Sequence, residues 1–286
     1  MKKIGFVDYY ISEWHANNYP AWIKAAAEKL GLEFEVAYAW AEKDVSPVDS
    51  RTTDEWCAAF GIQKCETIEE LCEKSDYIMI LAPSDPQTHL GYAQKVLKYG
   101  KRTYIDKTFA PDSETAKKIF EIGESHRTPF FSSSALRYSA ALAGLTETKT
   151  VTTFGGGSNF EEYAVHQAEM VIAALKKAPL SVRAEAQGKQ YIVTVKLDGA
   201  EATMVYSPDL PYAMSSENAS GERIYKTSGK GHFPALIEDI LRFFETGNIS
   251  FDTNETLAVM KLREAAIKAT HKLGEWIEIE MTSEQI

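Results

Sequence analysis

Residues 77–82 read Tyr-Ile-Met-Ile-Leu-Ala, an apolar run without polar alternation, which is the pattern of a strand covered on both faces. Similar short runs occur at Lys2–Val7, Glu33–Trp40, Arg102–Ile105 and Pro129–Ser132. Between them, apolar positions recur at helical spacing over Tyr19–Leu30, Thr53–Phe60, Thr67–Lys74, Thr88–Tyr99 and Ser113–His126. The ends of these stretches carry their own signals. Gly61 and Gly100 stand where a left-handed helix terminus is wanted, and Thr67 with Glu70 three residues on writes a capping box. Strands and helices alternating at this rhythm predict right-handed βαβ crossovers and a doubly wound parallel sheet. Any ligand site then belongs in the crevice at the carboxyl ends of the strands.

The pattern changes after about residue 137. Thr148–Phe154 reads as a strand ending in Gly155-Gly156-Gly157, and Glu162–Lys176 as a helix. Ser181–Ala186, Gln190–Leu197 and Ala200–Tyr206 alternate apolar and polar, with Gly188-Lys189 and Asp198-Gly199 placed as hairpin turns. Ile224–Thr227 adds a strand, and Phe233–Phe244 and Asn254–Leu273 add helices. The second half is therefore predicted to be an α+β domain with an open, mostly antiparallel sheet. The expected organisation is an α/β chain: a Rossmann-type domain over 1–130 and an α+β substrate and oligomerisation domain over 131–286. The open sheet face, with strands such as Tyr191–Leu197, predicts self-association as a dimer or tetramer.

Composition narrows the classes. A net charge of −10 over 286 residues, with no dominant Lys/Arg patch, argues against a nucleic-acid partner. No apolar run is long enough to span a membrane, and the N-terminus reads as a strand rather than a signal peptide. Cys57, Cys65 and Cys72 have neither zinc-ribbon nor disulfide spacing, so reduced thiols in a cytoplasmic protein and no metal site are expected.

A strand, a turn and a helix at the start of such a domain call for a glycine-rich turn that lets backbone approach a pyrophosphate. Here the turn is Asp8-Tyr9-Tyr10-Ile11-Ser12-Glu13, with no glycine. Aligned without gaps, the three fingerprint glycines fall on Asp8, Tyr10 and Glu13. A ring at Tyr10 occupies the approach that glycine leaves open, and Asp8 and Glu13 add negative charge beside phosphates. Trp14 and His15 replace the exit of the fingerprint, where an aromatic cluster fills space. The turn is expected to be bulkier than a glycine turn, and any dinucleotide to bind weakly or with its pyrophosphate displaced.

From Ser75 onward the chain resembles the glucose-fructose oxidoreductase, inositol dehydrogenase and MocA (Gfo/Idh/MocA) family of NAD(P)-dependent sugar and polyol oxidoreductases. The segments that carry the likeness are SDYIMILAPSDPQTHLGYAQKVLKYGKRTYIDKTFAPDSETAKKI, ALRYSAAL, FGGGSNFEEYAVHQAEMVIAAL and the C-terminal helix pair from Phe233. The resemblance implies a small-molecule substrate and NAD or NADP. It implies catalytic roles for Lys107, in Asp106-Lys107-Thr108 where Glu-Lys-Pro is usual, and for His166, with Glu162 one helical turn earlier in place of Asp. It also implies cofactor contacts from Asp8, Tyr9 and Tyr10 in the first turn, Ala82, Pro83 and Ser84 in the turn after the third long strand, and Asp106 with Lys107. Trp40 closes the second strand beside Glu42 and Asp44, acids placed to hold a ribose hydroxyl. His89 at a helix start reads equally as structural or as cofactor-adjacent.

Two functions follow. The first is oxidation or reduction of a sugar, polyol or related hydroxy compound by hydride transfer with NAD(P). The second is a cofactor-free family member, either a binding or regulatory protein or a non-redox enzyme, because the glycine turn is absent.

Overall fold

The computed structural model describes residues 1–281. Elements run in the order β1 (Lys2–Asp8), α1 (Trp14–Leu30), β2 (Phe34–Ala41), α2 (Thr53–Phe60), β3 (Gln63–Lys64), α3 (Ile68–Lys74) and β4 (Tyr77–Ile80). They continue with α4 (His89–Val96), β5 (Thr103–Ile105), α5 (Ser113–His126), β6 (Phe130–Phe131), β7 (Thr148–Gly155), α6 (Phe160–Leu175) and β8 (Pro179–Gln187). The remainder is β9 (Gln190–Leu197), β10 (Ala200–Tyr206), β11 (Ala213–Asn218), β12 (Arg223–Thr227), α7 (His232–Thr246), α8 (Asn254–Thr270) and β13 (Trp276–Glu278). Two compact units emerge: Met1–Ser133 with Pro234–Ser250, and Ser134–Phe233 with Phe251 onward.

The first unit holds a six-stranded sheet in the order β3-β2-β1-β4-β5-β6. Every neighbouring pair in it is parallel. The order reverses between β1 and β4, so the topological switch point lies at the carboxyl ends of these two strands. The doubly wound sheet expected from the apolar runs is present, and Ile78, Met79 and Ile80 are fully buried. Gly5 is required by packing rather than by a turn: a Cβ there would lie 2.4 Å from Ser75 Oγ and 2.6 Å from Leu71. The later part of α7 belongs to this unit. Phe244 stacks on Tyr77 with ring centroids 4.8 Å apart, and Phe243 meets Phe131 edge-on at 5.1 Å.

The second unit holds a seven-stranded sheet, β12-β11-β7-β10-β9-β8-β13. It is antiparallel except between β7 and β10. One face packs Val182, Val193, Val195 and Met204 against Ala164 and Ala168 of α6 and Leu262 and Ala266 of α8. The alternate positions, Ile192 and Lys196 among them, point away and stay exposed.

Three strands lie outside the sequence expectation. β3 is two residues long, β11 reads AMSSEN and β13 reads WIE, so none carries the apolar alternation that marks a strand. Each forms because a neighbour offers a ladder. The first helix begins at Trp14, five residues before the expected Tyr19, for a reason that lies in the candidate site. Burial pushes the thiols of Cys57 and Cys65 up to about 11 and that of Cys72 to about 12. No helix among the described residues is long and apolar enough to cross a membrane.

Candidate functional site

β1 ends on Asp8, which is 1% exposed. Its Oδ1 accepts the N–H of Tyr9 at 2.7 Å and that of Ala82 at 3.0 Å, tying the first turn to the turn after β4. Its Oδ2 has no hydrogen-bond partner. Burial, and then the charge of Glu13, push this carboxyl well above the usual aspartate range, against the pull of the two N–H donors.

The turn is fastened on its other side. Glu42 and Lys43 N–H donate to the carbonyls of Asp8 and Tyr9 at 3.1 and 2.7 Å. Ser12 Oγ donates to Asp49 at 2.7 Å, and Ser46 Oγ donates to the Ser12 carbonyl at 2.7 Å. Tyr9 and Tyr10 meet edge-on at 5.9 Å, with the Lys43 ammonium 5.7 Å from the Tyr9 ring centre.

Glu13 is the N-cap of α1, and its side chain bonds the helix's own first turn. Oε2 accepts the His15 N–H at 2.7 Å, and Oε1 accepts the Ala16 N–H. A capping carboxylate at this position extends the helix back to Trp14, which is why it starts earlier than the apolar spacing predicts. Burial raises the Glu13 carboxyl, with His15 and the two N–H groups opposing.

Two residues on, His15 Nδ1 pairs with Asp106 Oδ2, and the imidazole stacks on Tyr19 at 5.2 Å and 7°. Asp106 Oδ1 accepts the Tyr104 hydroxyl at 3.1 Å and the Lys107 N–H at 2.8 Å. Burial alone would raise Asp106. The charge and hydrogen bond of His15, with Lys107 beyond, hold it below its ordinary value instead. Lys107 is half-buried, and its ammonium donates to the Pro83 carbonyl at 3.4 Å.

The other first-unit candidates are braced by neighbours. Trp40 lies edge-on to Tyr92 at 5.9 Å, and the Tyr92 hydroxyl donates to Glu42 at 2.9 Å. Ala82 is buried with φ of +50°, and Ser84 is exposed. His89 is fully buried between two carbonyls, Leu81 O at 2.7 Å from Nε2 and Phe109 O at 3.0 Å from Nδ1. It joins the segments that follow β4 and β5, and burial lowers its pKa.

In the second unit, His166 Nδ1 pairs with Ser134 Oγ at 2.6 Å, and the ring lies among Tyr163 and Tyr212 at 5.8 and 5.6 Å. Glu162 accepts from Ser158 Oγ at 3.1 Å and Asn159 Nδ2 at 3.2 Å. The triple glycine makes room for these rings. A Cβ on Gly155 would lie 2.3 Å from Tyr212, one on Gly157 (φ +153°) 2.2 Å from Tyr163, and one on Gly156 2.0 Å from the Ser207 carbonyl. Beneath them Arg137 donates through Nε to Glu169 at 2.5 Å and through its guanidinium to Glu255 at 2.7 Å. It also lies 3.9 Å over Phe251. Ser134 and Glu169 were not among the sequence candidates; a serine or glutamate without a motif around it gives no signal to find them by.

The cofactor that the resemblance implies is NAD or NADP. Its phosphate oxygens are acceptors, and a Rossmann turn supplies them with free N–H groups and glycine's lack of a side chain. In this turn the N–H groups of His15 and Ala16 are already held by Glu13. Two further side chains, Asp8 and Tyr10, stand at glycine positions. These residues do not fit a pyrophosphate in its usual seat.

Residues 26–133 match the family model described as an oxidoreductase family with an NAD-binding Rossmann fold. The match begins after β1, the turn and the first twelve residues of α1. No curated protein matches the chain. Among solved structures, myo-inositol dehydrogenase from Lactobacillus casei, in complex with NAD(H) and myo-inositol, is similar with a TM-score of 0.79 at 9% identity. That similarity covers 99% of this chain and 98% of the other. A myo-inositol dehydrogenase from Corynebacterium glutamicum gives 0.77 at 12% identity, covering 98% and 99%. An oxidoreductase from Bacillus cereus gives 0.69 at 13%, covering 99% of both chains. At such identities the structures establish a shared fold. Over residues 26–133, the chain is similar to the Gfo/Idh/MocA family of oxidoreductases.

Proposed function

We propose that this chain is an oxidoreductase acting on a CH–OH group of a sugar, polyol or related compound, with NAD or NADP as its hydride partner. The observation that carries this reading is the family match over residues 26–133, which takes in the strand ends of β4 and β5 and includes Lys107. The Lactobacillus casei relative, solved with NAD(H) and myo-inositol, supports the same two ligand classes.

In this reading Lys107 moves the proton of the reacting hydroxyl. Its ammonium contact to the Pro83 carbonyl, at 3.4 Å, is weak enough to be exchanged for a substrate oxygen. His166 is a second proton-handling group whose ring orientation is set by Ser134, and Glu162 adds negative charge at the start of α6. The test is turnover of NAD+ or NADP+ with a panel of sugars and polyols. Lys107→Ala and His166→Ala should each lower kcat by roughly 10²–10⁴-fold, with smaller effects on KM. Unchanged turnover in both variants removes them from the mechanism.

The second reading is a cofactor-free protein that binds or regulates, or that performs non-redox chemistry. The occupation of the first turn of α1 by Glu13 favours it. Titration of NADH and NADPH, followed by fluorescence or thermal shift, separates the two, because binding of neither nucleotide supports the second.

Self-association through the open sheet of the second unit belongs to the same proposal. Leu180, Ile192 and Tyr225 are 45%, 45% and 63% exposed there. Light scattering should report a dimer or tetramer, and a monomer at micromolar concentration would reject it.

A further inference from the structure

The first turn of any helix presents N–H groups that no residue within the helix can accept. A dinucleotide-binding turn leaves them for phosphate. In α1 those of His15 and Ala16 are taken. Glu13 spends one carboxylate oxygen on His15 N–H and the other on Ala16 N–H, and its backbone carbonyl accepts Asn17 N–H at 2.9 Å. This is not a surface side chain free to swing aside, since Glu13 is 6% exposed. The turn that carries it is fixed by Ser12 to Asp49, by Ser46 to the Ser12 carbonyl, and by Tyr9 and Asp8 to the end of β2. Two residues on, His15 is fixed by Asp106.

We propose that Glu13 is an internal replacement for the pyrophosphate: its carboxylate holds the α1 N-terminus, and a nicotinamide dinucleotide bound to this unit does not seat its phosphates there. Tyr10 and Asp8 reinforce the exclusion by filling two glycine positions. The inference draws on the oxidoreductase reading only for the choice of nucleotide as the probe.

The test is titration of NADH and NADPH, by nicotinamide fluorescence, against the wild-type chain, Glu13→Gly, Glu13→Gln and the triple variant Asp8→Gly/Tyr10→Gly/Glu13→Gly. Circular dichroism checks that each is folded. The wild type should bind weakly. Glu13→Gly should tighten binding by roughly 2- to 30-fold, the range of a helix N-terminus acting on an anion. The triple variant should tighten it further, because the steric block goes as well. Glu13→Gln keeps the cap's shape without its charge, so it should give part of the gain, and it carries the test if the glycine variants fail to fold.

Tight wild-type binding unchanged by Glu13→Gly would overturn the proposal and leave the oxidoreductase reading intact. Folded glycine variants that bind no better than wild type would also overturn it. Glu13-dependent affinity without turnover on any sugar or polyol would uphold it while the oxidoreductase reading fails.

Discussion

Asp8 and Asp106 stand at the carboxyl ends of β1 and β5 in one parallel sheet, and each is 1% exposed. Their chemistry diverges. Asp106 is surrounded by donors on both oxygens: His15 on one, Tyr104 and Lys107 N–H on the other. Asp8 has two backbone donors on one oxygen and none on the other, with Glu13 as a like-charged neighbour. One carboxyl is held below its ordinary value and the other is pushed well above it. Burial is common to both, so partners decide the charge state. The contrast also separates two tasks. Asp106 fixes the start of α1 through His15, whereas Asp8 fixes backbone and keeps an oxygen uncommitted.

Removing the better-partnered carboxylate should have the larger effect. Asp106→Ala deletes the acceptor of His15, the Tyr104 hydroxyl and the Lys107 N–H inside the fold. Losing one member of a buried charged pair typically costs about 3–5 kcal/mol, and chemical denaturation at neutral pH should report a loss of that order. The pH dependence has a definite sign. A carboxyl whose folded pKa is depressed stabilises the fold above its unfolded pKa and loses that contribution as pH falls through the folded value. The gap between wild type and variant should therefore be widest at neutral pH and shrink in acid. A variant as stable as wild type would show that the His15–Asp106 pair does not organise the turn.

The same two strand ends show what sequence could and could not tell. The apolar runs Lys2–Val7 and Tyr77–Ala82 announce buried parallel strands, because a strand covered on both faces leaves no room for polar alternation. Gly61 and Gly100 mark helix ends, since both adopt positive φ, +69° and +67°. The missing glycines at Asp8, Tyr10 and Glu13 were equally plain, and so was the difficulty they make for a phosphate. What replaces the phosphate was not legible. That Glu13 folds back onto the N–H groups of His15 and Ala16, and that His15 reaches Asp106 ninety-one positions away, depend on tertiary placement that no local spacing encodes. The same holds for α7. Its apolar face is readable as a helix, but its packing of Phe243 and Phe244 against Phe131 and Tyr77 is not.

The smallest expected effect lies at the other carboxyl. Because its folded pKa is raised, Asp8 weakens the fold as pH climbs from its unfolded pKa through its folded one, the reverse of Asp106. Asp8→Asn keeps an oxygen for the N–H groups of Tyr9 and Ala82 and removes the charge that burial and Glu13 oppose. It places an NH2 where Oδ2 has no partner, and an unsatisfied buried donor costs about 1–3 kcal/mol. The relief of charge and the new donor oppose each other, so denaturation should place the variant within about 1 kcal/mol of wild type at neutral pH. In acid, where Asp8 is protonated in both folded and unfolded chains, the charge relief vanishes and only the donor's cost remains. The variant should therefore fall further behind wild type as pH drops, whereas Asp106→Ala should draw closer to it. Parallel pH profiles for the two variants would erase the distinction between the two strand ends.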